Sequence, residues 1–98
     1  MATPSSADDI TVTHNEVAHR FETSSHGQLA MCEYRFEGDR VIFTHTFVPS
    51  ELRGRGIAEK LVRAALQWAA EKNHRIVAAC SYVDVFVQRN PEFRVLLA

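Results

Sequence analysis

Apolar and polar residues alternate along the first half of the chain, which is the pattern of half-buried β-strands. The alternation is weak from Ile10 and predicts three strands, at Val17–Glu22, Leu29–Phe36 and Val41–Val48. The residues predicted to share one face of the third strand are Val41, Phe43, His45 and Phe47.

Two short glycine-containing segments separate these strands. Ser24–Gly27 has the composition of a turn, and Gly38 followed by Asp39 suits a two-residue type II′ hairpin. Because such short turns connect neighbouring antiparallel strands, the first half of the chain is predicted to be an antiparallel meander.

The spacing of the apolar residues changes after Pro49, because from Ile57 onward they recur at helical spacing. The helix is predicted to begin at Ile57 and to end near Asn73. Its apolar stripe consists of Ile57, Leu61, Ala64, Ala65, Trp68 and Ala69 and is widened by Ala58, Val62 and Leu66. Trp68 is expected to be in the core.

The last quarter of the chain predicts one more strand and one more helix. Ile76–Cys80 is an unbroken apolar run, typical of a parallel strand covered on both faces. Tyr82–Arg89 is predicted to be a short helix that Pro91 stops. Phe93–Leu97 is apolar enough to pack back or add a strand. We therefore predict an α+β fold, in which the antiparallel meander leads into a parallel βαβ unit with a short C-terminal helix.

Length and composition indicate a single domain. The chain has 98 residues and a net charge of −1, which argues against broad nucleic-acid binding. Residues 1–9 are small and polar and are predicted to be a flexible N-terminus, so the domain spans residues 10–98. We see neither a secretory signal nor an apolar run of about 20 residues that would span a membrane. We therefore expect a cytoplasmic protein with no membrane partner.

Cysteine and histidine usage adds little evidence for a metal. Cys32 and Cys80 could form one disulfide at most, and free thiols are the favoured interpretation. No Cys/His cluster has zinc spacing, so no metal site is predicted. Cys32 is expected in the core. The histidines expected at the surface are His14, His19, His26 and His74.

The segment between the third strand and the long helix carries the strongest functional signal. It runs Arg53-Gly54-Arg55-Gly56-Ile57-Ala58, a glycine-bearing turn that opens a helix. The free backbone N–H groups and the dipole at a helix N-terminus favour a bound anion such as phosphate. Glycines let that anion approach the backbone. The non-functional alternative is an exposed basic turn before a helix.

The predicted topology places further residues near this turn. In a βαβ unit, the carboxyl ends of both parallel strands and the N-terminus of the helix lie at one edge of the sheet, where ligands bind. His45, the Arg53–Ala58 turn and Cys80 are therefore expected to converge.

The turn matches the pattern Arg/Gln-x-x-Gly-x-Gly/Ala, which resembles the acetyl-coenzyme A signature of the GNAT superfamily of N-acetyltransferases. With the downstream Cys-Ser-Tyr-Val and Arg-Asn-Pro-Glu-Phe segments, the chain resembles the small YjdJ-like branch of that superfamily. The likeness covers about Val17 to Phe93. It implies acetyl-CoA bound between the two parallel strands. The residues implied to bind it are Phe47, Val48, Arg53, Gly54, Arg55, Gly56, Ile57, Ala58, Arg89 and Asn90.

The resemblance also implies a chemical role for Cys80, as a nucleophile that receives the acetyl group. Alternatives are a cysteine that only lines the cleft or a core cysteine. His45 is either a general base or a half-buried strand histidine. Tyr82 is either an acid for the departing thiolate or a packing residue, and Glu33 is a possible base acting through water.

Three functions follow from these alternatives. The first is an N-acetyltransferase that moves an acetyl group to a primary amine, directly or through acetyl-Cys80. The second is a non-catalytic CoA- or acyl-CoA-binding module, and the third is a scaffold without a ligand. The acceptor is a small molecule or a protein amine, and the chain is expected to be a monomer or a weak homodimer. Larger relatives grip the acceptor with helices that this chain lacks.

Overall fold

The computed structural model describes residues 10–98, in which five strands form one sheet. The strands are β1 (Thr13–Asn15), β2 (Arg20–Ser25), β3 (Gln28–Glu37), β4 (Arg40–Phe47) and β5 (Arg75–Ala78). They lie in chain order across the sheet; β1 to β4 are antiparallel, and β4 and β5 are parallel. Helix α1 (Ile57–Glu71) connects β4 to β5, and helix α2 (Ser81–Arg89) follows β5. The predicted α+β fold is confirmed, whereas the predicted flexible segment 1–9 lies outside the described residues.

Two-residue turns set the register of the meander. His26 and Gly27 join β2 to β3, and both have positive φ (52° and 73°), as a type I′ turn requires. Gly38 and Asp39 join β3 to β4, and of these two only Gly38 has positive φ, at 62°. This agrees with the predicted type II′ hairpin.

Several predicted boundaries differ from the observed ones. The strand predicted to begin at Val17 begins instead at Arg20. Val17 lies in the turn before β2 and is 98% exposed. The short strand β1 was not predicted. The C-terminal segment Pro91–Leu96 forms 3-10 turns, and only Leu97 bridges to β5.

One face of the sheet is covered by a continuous apolar core. The α1 side chains in this core are Ile57, Leu61, Val62, Ala65, Leu66 and Ala69, each at most 2% exposed. Val83, Phe86 and Val87 of α2 extend the same core. The prediction that β5 is covered on both faces is wrong, since Val77 and Ala78 are only half-buried. A full truncation such as Leu61→Ala in a core of this kind costs about 2–5 kcal/mol.

A β-bulge in β4 decides which side chains face the helices. Tyr34 of β3 lies opposite Phe43, whereas Glu33 lies opposite His45, so Thr44 is an extra residue in β4. Beyond the bulge Thr46 lies opposite the buried Cys32 on the core face, and His45 lies on the other face. The prediction that Val41, Phe43, His45 and Phe47 share one face is therefore wrong.

His14 attaches the edge strand β1 to the core. Its ring stacks on Phe21, with centroids 4.1 Å apart, and meets the edge of Trp68 at 4.8 Å. His14 Nε2 lies 2.6 Å from the Tyr34 hydroxyl. His14 and His74 are half-buried, so the expectation that they lie at the surface is wrong. Trp68 is half-buried and packs against the core, as expected only in part.

We expect the stability of the fold to depend on His14 in mildly acidic solution. Burial, followed by the opposing attraction of Glu16 and the repulsion of His19, gives the His14 imidazole a pKa below its ordinary 6.5. The unfolded chain then binds a proton more readily than the folded chain. The stabilisation is present above the unfolded pKa and is lost as the pH falls through the folded one. Thermal unfolding followed by Trp68 fluorescence at about pH 7.5 and about pH 5.5 measures this loss.

The matched control for His14 is His26, which is exposed in the β2–β3 turn. His14→Phe should reduce the pH dependence of the melting temperature, whereas His26→Asn should retain it, because asparagine tolerates the positive φ of that turn. Equal pH dependence in His14→Phe and the wild type would contradict the prediction.

Candidate active site

A cleft opens where β4 and β5 part. The last paired residues are Phe43 and Ala78, after which the Cys80 N–H still donates to the Phe43 carbonyl at 2.9 Å. Beyond that bond β4 continues toward Phe47 paired with β3 only, and a cleft of about 370 Å³ lies between this end and the start of α1. Its lining residues are Thr46, Phe47, Val48, Leu52, Arg53, Gly54, Gly56, Ile57, Ala58 and Tyr82.

The glycine-bearing turn forms one wall of this cleft. Gly54 and Gly56 have φ of 82° and 74°, a region that side chains disfavour. A Cβ at either position would meet no protein atom within 4 Å, so the space beside both glycines is open. Gly56 is the N-cap of α1 and makes no side-chain cap bond, and its carbonyl accepts the first helical bond, from Lys60. The N–H groups of the first turn thus remain available to an anion.

The two arginines of the turn differ in position. Arg53 lines the cleft, and its Nε donates to the Val48 carbonyl at 3.1 Å, which ties the turn to the end of β4. The half-buried Arg55 does not contribute to the lining. Backbone N–H groups and Arg53 are therefore the groups that fit a phosphate here.

Cys80 lies at the edge of the cleft as the N-cap of α2. Its thiol is half-buried, free of any disulfide, and 3.5 Å from the Thr46 hydroxyl. Partial burial opposes ionisation of the thiol. Hydrogen bonds from Thr46 and from the N–H groups of Val83 and Tyr82 outweigh that effect and lower its pKa. A thiolate at a helix N-terminus is a nucleophile.

His45 does not meet Cys80. The bulge places His45 opposite Glu33 on the face away from the helices, where its exposed ring stacks on Phe47 with centroids 6.4 Å apart. Because neighbouring strand residues point to opposite faces, Thr46 takes the place beside the thiol instead. The expectation that His45 and Cys80 converge is wrong, and the sequence offered no signal for Thr46.

A smaller pocket of about 250 Å³ adjoins the cleft at Tyr82, and Arg89 and Asn90 are among the residues that line it. The Asn90 side chain is already engaged, since its Nδ2 donates to the Phe86 carbonyl at 2.8 Å and its Oδ1 accepts from Arg63 at 3.4 Å. Burial raises the pKa of Tyr82, Glu59 raises it further and Arg89 opposes both. Tyr82 therefore retains its proton at neutral pH.

Two kinds of site receive no support from the described residues. Within residues 10–98, no three His, Cys, Asp or Glu side chains are grouped closely enough to hold a metal ion. Neither helix of that part of the chain has the length and apolar character needed to cross a membrane.

Comparison with known protein families shows which family the chain belongs to. The family model described as GCN5-related N-acetyl-transferase matches residues 20–96. The chain belongs to this family. Relatives with the same architecture include a GCN5-like protein from Staphylococcus aureus, solved by NMR, with a TM-score of 0.70 and 26% identity over 90% of this chain and 87% of that one.

Curated sequences agree with that assignment to the GCN5-related N-acetyltransferase family. Protein NATD1 of Bos taurus is 36% identical over 84% of this chain and 75% of its own length. Protein NATD1 of Mus musculus is 35% identical over 92% of this chain and 88% of its own length. The similarity therefore spans both the glycine-bearing turn and Cys80.

Proposed function

We propose that the chain is an acetyl-CoA-dependent N-acetyltransferase in which Cys80 accepts the acetyl group and passes it to a primary amine. The observation that carries this proposal is the position of the Cys80 thiol, at the N-terminus of α2 and 3.5 Å from the hydroxyl of Thr46, a residue that lines the cleft. Family membership supports acetyl-CoA as the donor substrate.

The cleft suits coenzyme A in both its polar and its apolar parts. Free N–H groups around Gly56, with Arg53 beside them, would hold the pyrophosphate. Val48, Leu52 and Ile57 give the cleft apolar walls for the pantetheine arm. Arg89 lies in the adjoining pocket, where it would attract a further phosphate.

Residues of this chain would perform the transfer in two steps. The Cys80 thiolate forms a bond to the acetyl carbon and breaks that carbon's bond to the coenzyme A sulfur, so one thioester replaces another. Tyr82 or water returns a proton to the departing thiolate. A neutral amine then attacks the acetyl carbon, its nitrogen loses a proton, and the Cys80 thiolate is released. Water in the open cleft would take the amine proton, because His45 and Glu33 lie on the opposite face of the sheet from Cys80.

A non-catalytic CoA-binding module remains the second candidate. The observation that favours it is the connection of β2 to β3 and of β3 to β4 by two-residue turns, which leave no helix there to hold an acceptor. The two functions share the cleft and differ in whether Cys80 becomes acetylated.

A titration with coenzyme A tests the binding step common to both functions. We expect amide NMR signals of Val48, Gly54–Ala58 and Tyr82 to shift, because these residues line or adjoin the cleft. The Gly38 hairpin, at the opposite end of β4, should not respond. Unmoved Gly56 signals at about 1 mM coenzyme A, where even weak binders saturate appreciably, would contradict the proposal.

A further inference from the structure

Thr46 is a neighbour of both cysteines of the chain. Its Oγ1 is 3.5 Å from Cys80 Sγ, and Thr46 lies directly opposite Cys32 in the β3–β4 register. Cys32 is completely buried, whereas Cys80 is half-buried at the edge of the cleft. The bulge at Thr44 creates this arrangement, since a regular strand would point His45 toward the core face instead.

The hydrogen-bonding capacity of the Thr46 hydroxyl determines which groups donate and which accept among these three side chains. Threonine offers one donor and two acceptor lone pairs, whereas a thiolate can only accept. If Cys80 is ionised, the single Thr46 O–H must donate to it. The Thr46 oxygen can then accept a hydrogen bond itself, and its cross-strand neighbour Cys32 carries a thiol that can donate one.

The environment of Cys32 keeps it a donor. Burial is the main cause that raises the pKa of Cys32 to about 12, and the charge of the neighbouring Cys80 acts in the same direction. Cys32 therefore retains its proton at neutral pH. One cysteine is thereby set up as the nucleophile, and the other as a neutral hydrogen-bond donor.

We propose that Cys32 and Thr46 are positioning residues: Cys32 S–H donates to Thr46 Oγ1, and Thr46 O–H donates to the Cys80 thiolate. The chain of two bonds holds the sulfur at the edge of the cleft and stabilises its charge, because consecutive hydrogen bonds polarise one another. This inference deepens the proposed function, since it assumes only that Cys80 is the reactive thiol.

The test measures Cys80 reactivity without acetyl-CoA, so its outcome is independent of the proposed acetyl transfer. Wild-type protein is alkylated with iodoacetamide over a range of pH, and peptide mass spectrometry quantifies modification at Cys80. In Thr46→Val, which preserves side-chain shape but removes the hydroxyl, alkylation at neutral pH should be roughly threefold to tenfold slower. The midpoint of its pH profile should move to higher pH. Thr46→Ser should restore the wild-type profile.

A second pair of variants tests the role of the buried Cys32. Cys32→Ala removes the donor and should move the Cys80 profile in the same direction as Thr46→Val, though by less. Cys32→Ser retains a donor and should keep the wild-type profile. Trp68 fluorescence and circular dichroism confirm that each variant is folded. An unchanged profile in folded Thr46→Val would overturn the role of Thr46, and one in folded Cys32→Ala would overturn the role of Cys32.

Discussion

Cys80→Ala should abolish the attachment of an acetyl group to the protein on mixing with acetyl-CoA. Cys32, the other cysteine of the chain, is completely buried and retains its proton. Transfer to an amine should fall by at least about 1,000-fold if it passes through Cys80, as is typical when a covalent nucleophile is removed. Intact-protein mass spectrometry would detect the added acetyl group, and release of free coenzyme A would report turnover.

Cys32→Ser is the matched control, since it also removes one thiol but leaves Cys80 in place. It should still gain one acetyl group. If wild-type protein binds acetyl-CoA but gains no acetyl group and releases no coenzyme A with any amine, the CoA-binding module is the better description. If Cys80→Ala retains full turnover, transfer is direct and the covalent route is wrong.

Gly56→Val should weaken coenzyme A binding by about a hundredfold. Its Cβ would project into the open space beside the turn and hold a phosphate away from two or more N–H groups, each worth about 1.5–3 kcal/mol to a charged partner. A β-branched residue at φ of 74° would also strain the turn. Isothermal titration calorimetry measures the loss of affinity.

Gly38→Val separates strain from ligand exclusion. Gly38 has a similar positive φ of 62° and equally open surroundings, but it lies in the β3–β4 hairpin away from the cleft. Both variants should lose a similar amount of stability, about 1–2 kcal/mol for a side chain in left-handed geometry. Only Gly56→Val should lose affinity. Equal affinities of the two variants for coenzyme A would show that the glycine-bearing turn is not part of the binding site.

Local chemistry made much of the fold and of the cleft predictable. The two glycine-containing turns, the amphipathic α1 and its start at Ile57 depend on neighbouring residues, so periodicity and turn composition reveal them. Strand β1 was missed because three residues have little signal of their own, and His14 attaches it through contacts with Phe21 and Tyr34 that are distant in sequence.

The sequence by itself therefore determined the order of the elements from β2 to α2 and placed Cys80 at the junction of β5 and α2. Only the tertiary structure decided what that thiol contacts. One extra residue at Thr44 turned His45 to the exposed face and brought Thr46 to the core face, beside Cys80 and opposite Cys32. Strand pairing between β3 and β4 sets this register, and a shift of one residue exchanges the faces of every side chain beyond it, so periodicity in β4 alone could not predict it.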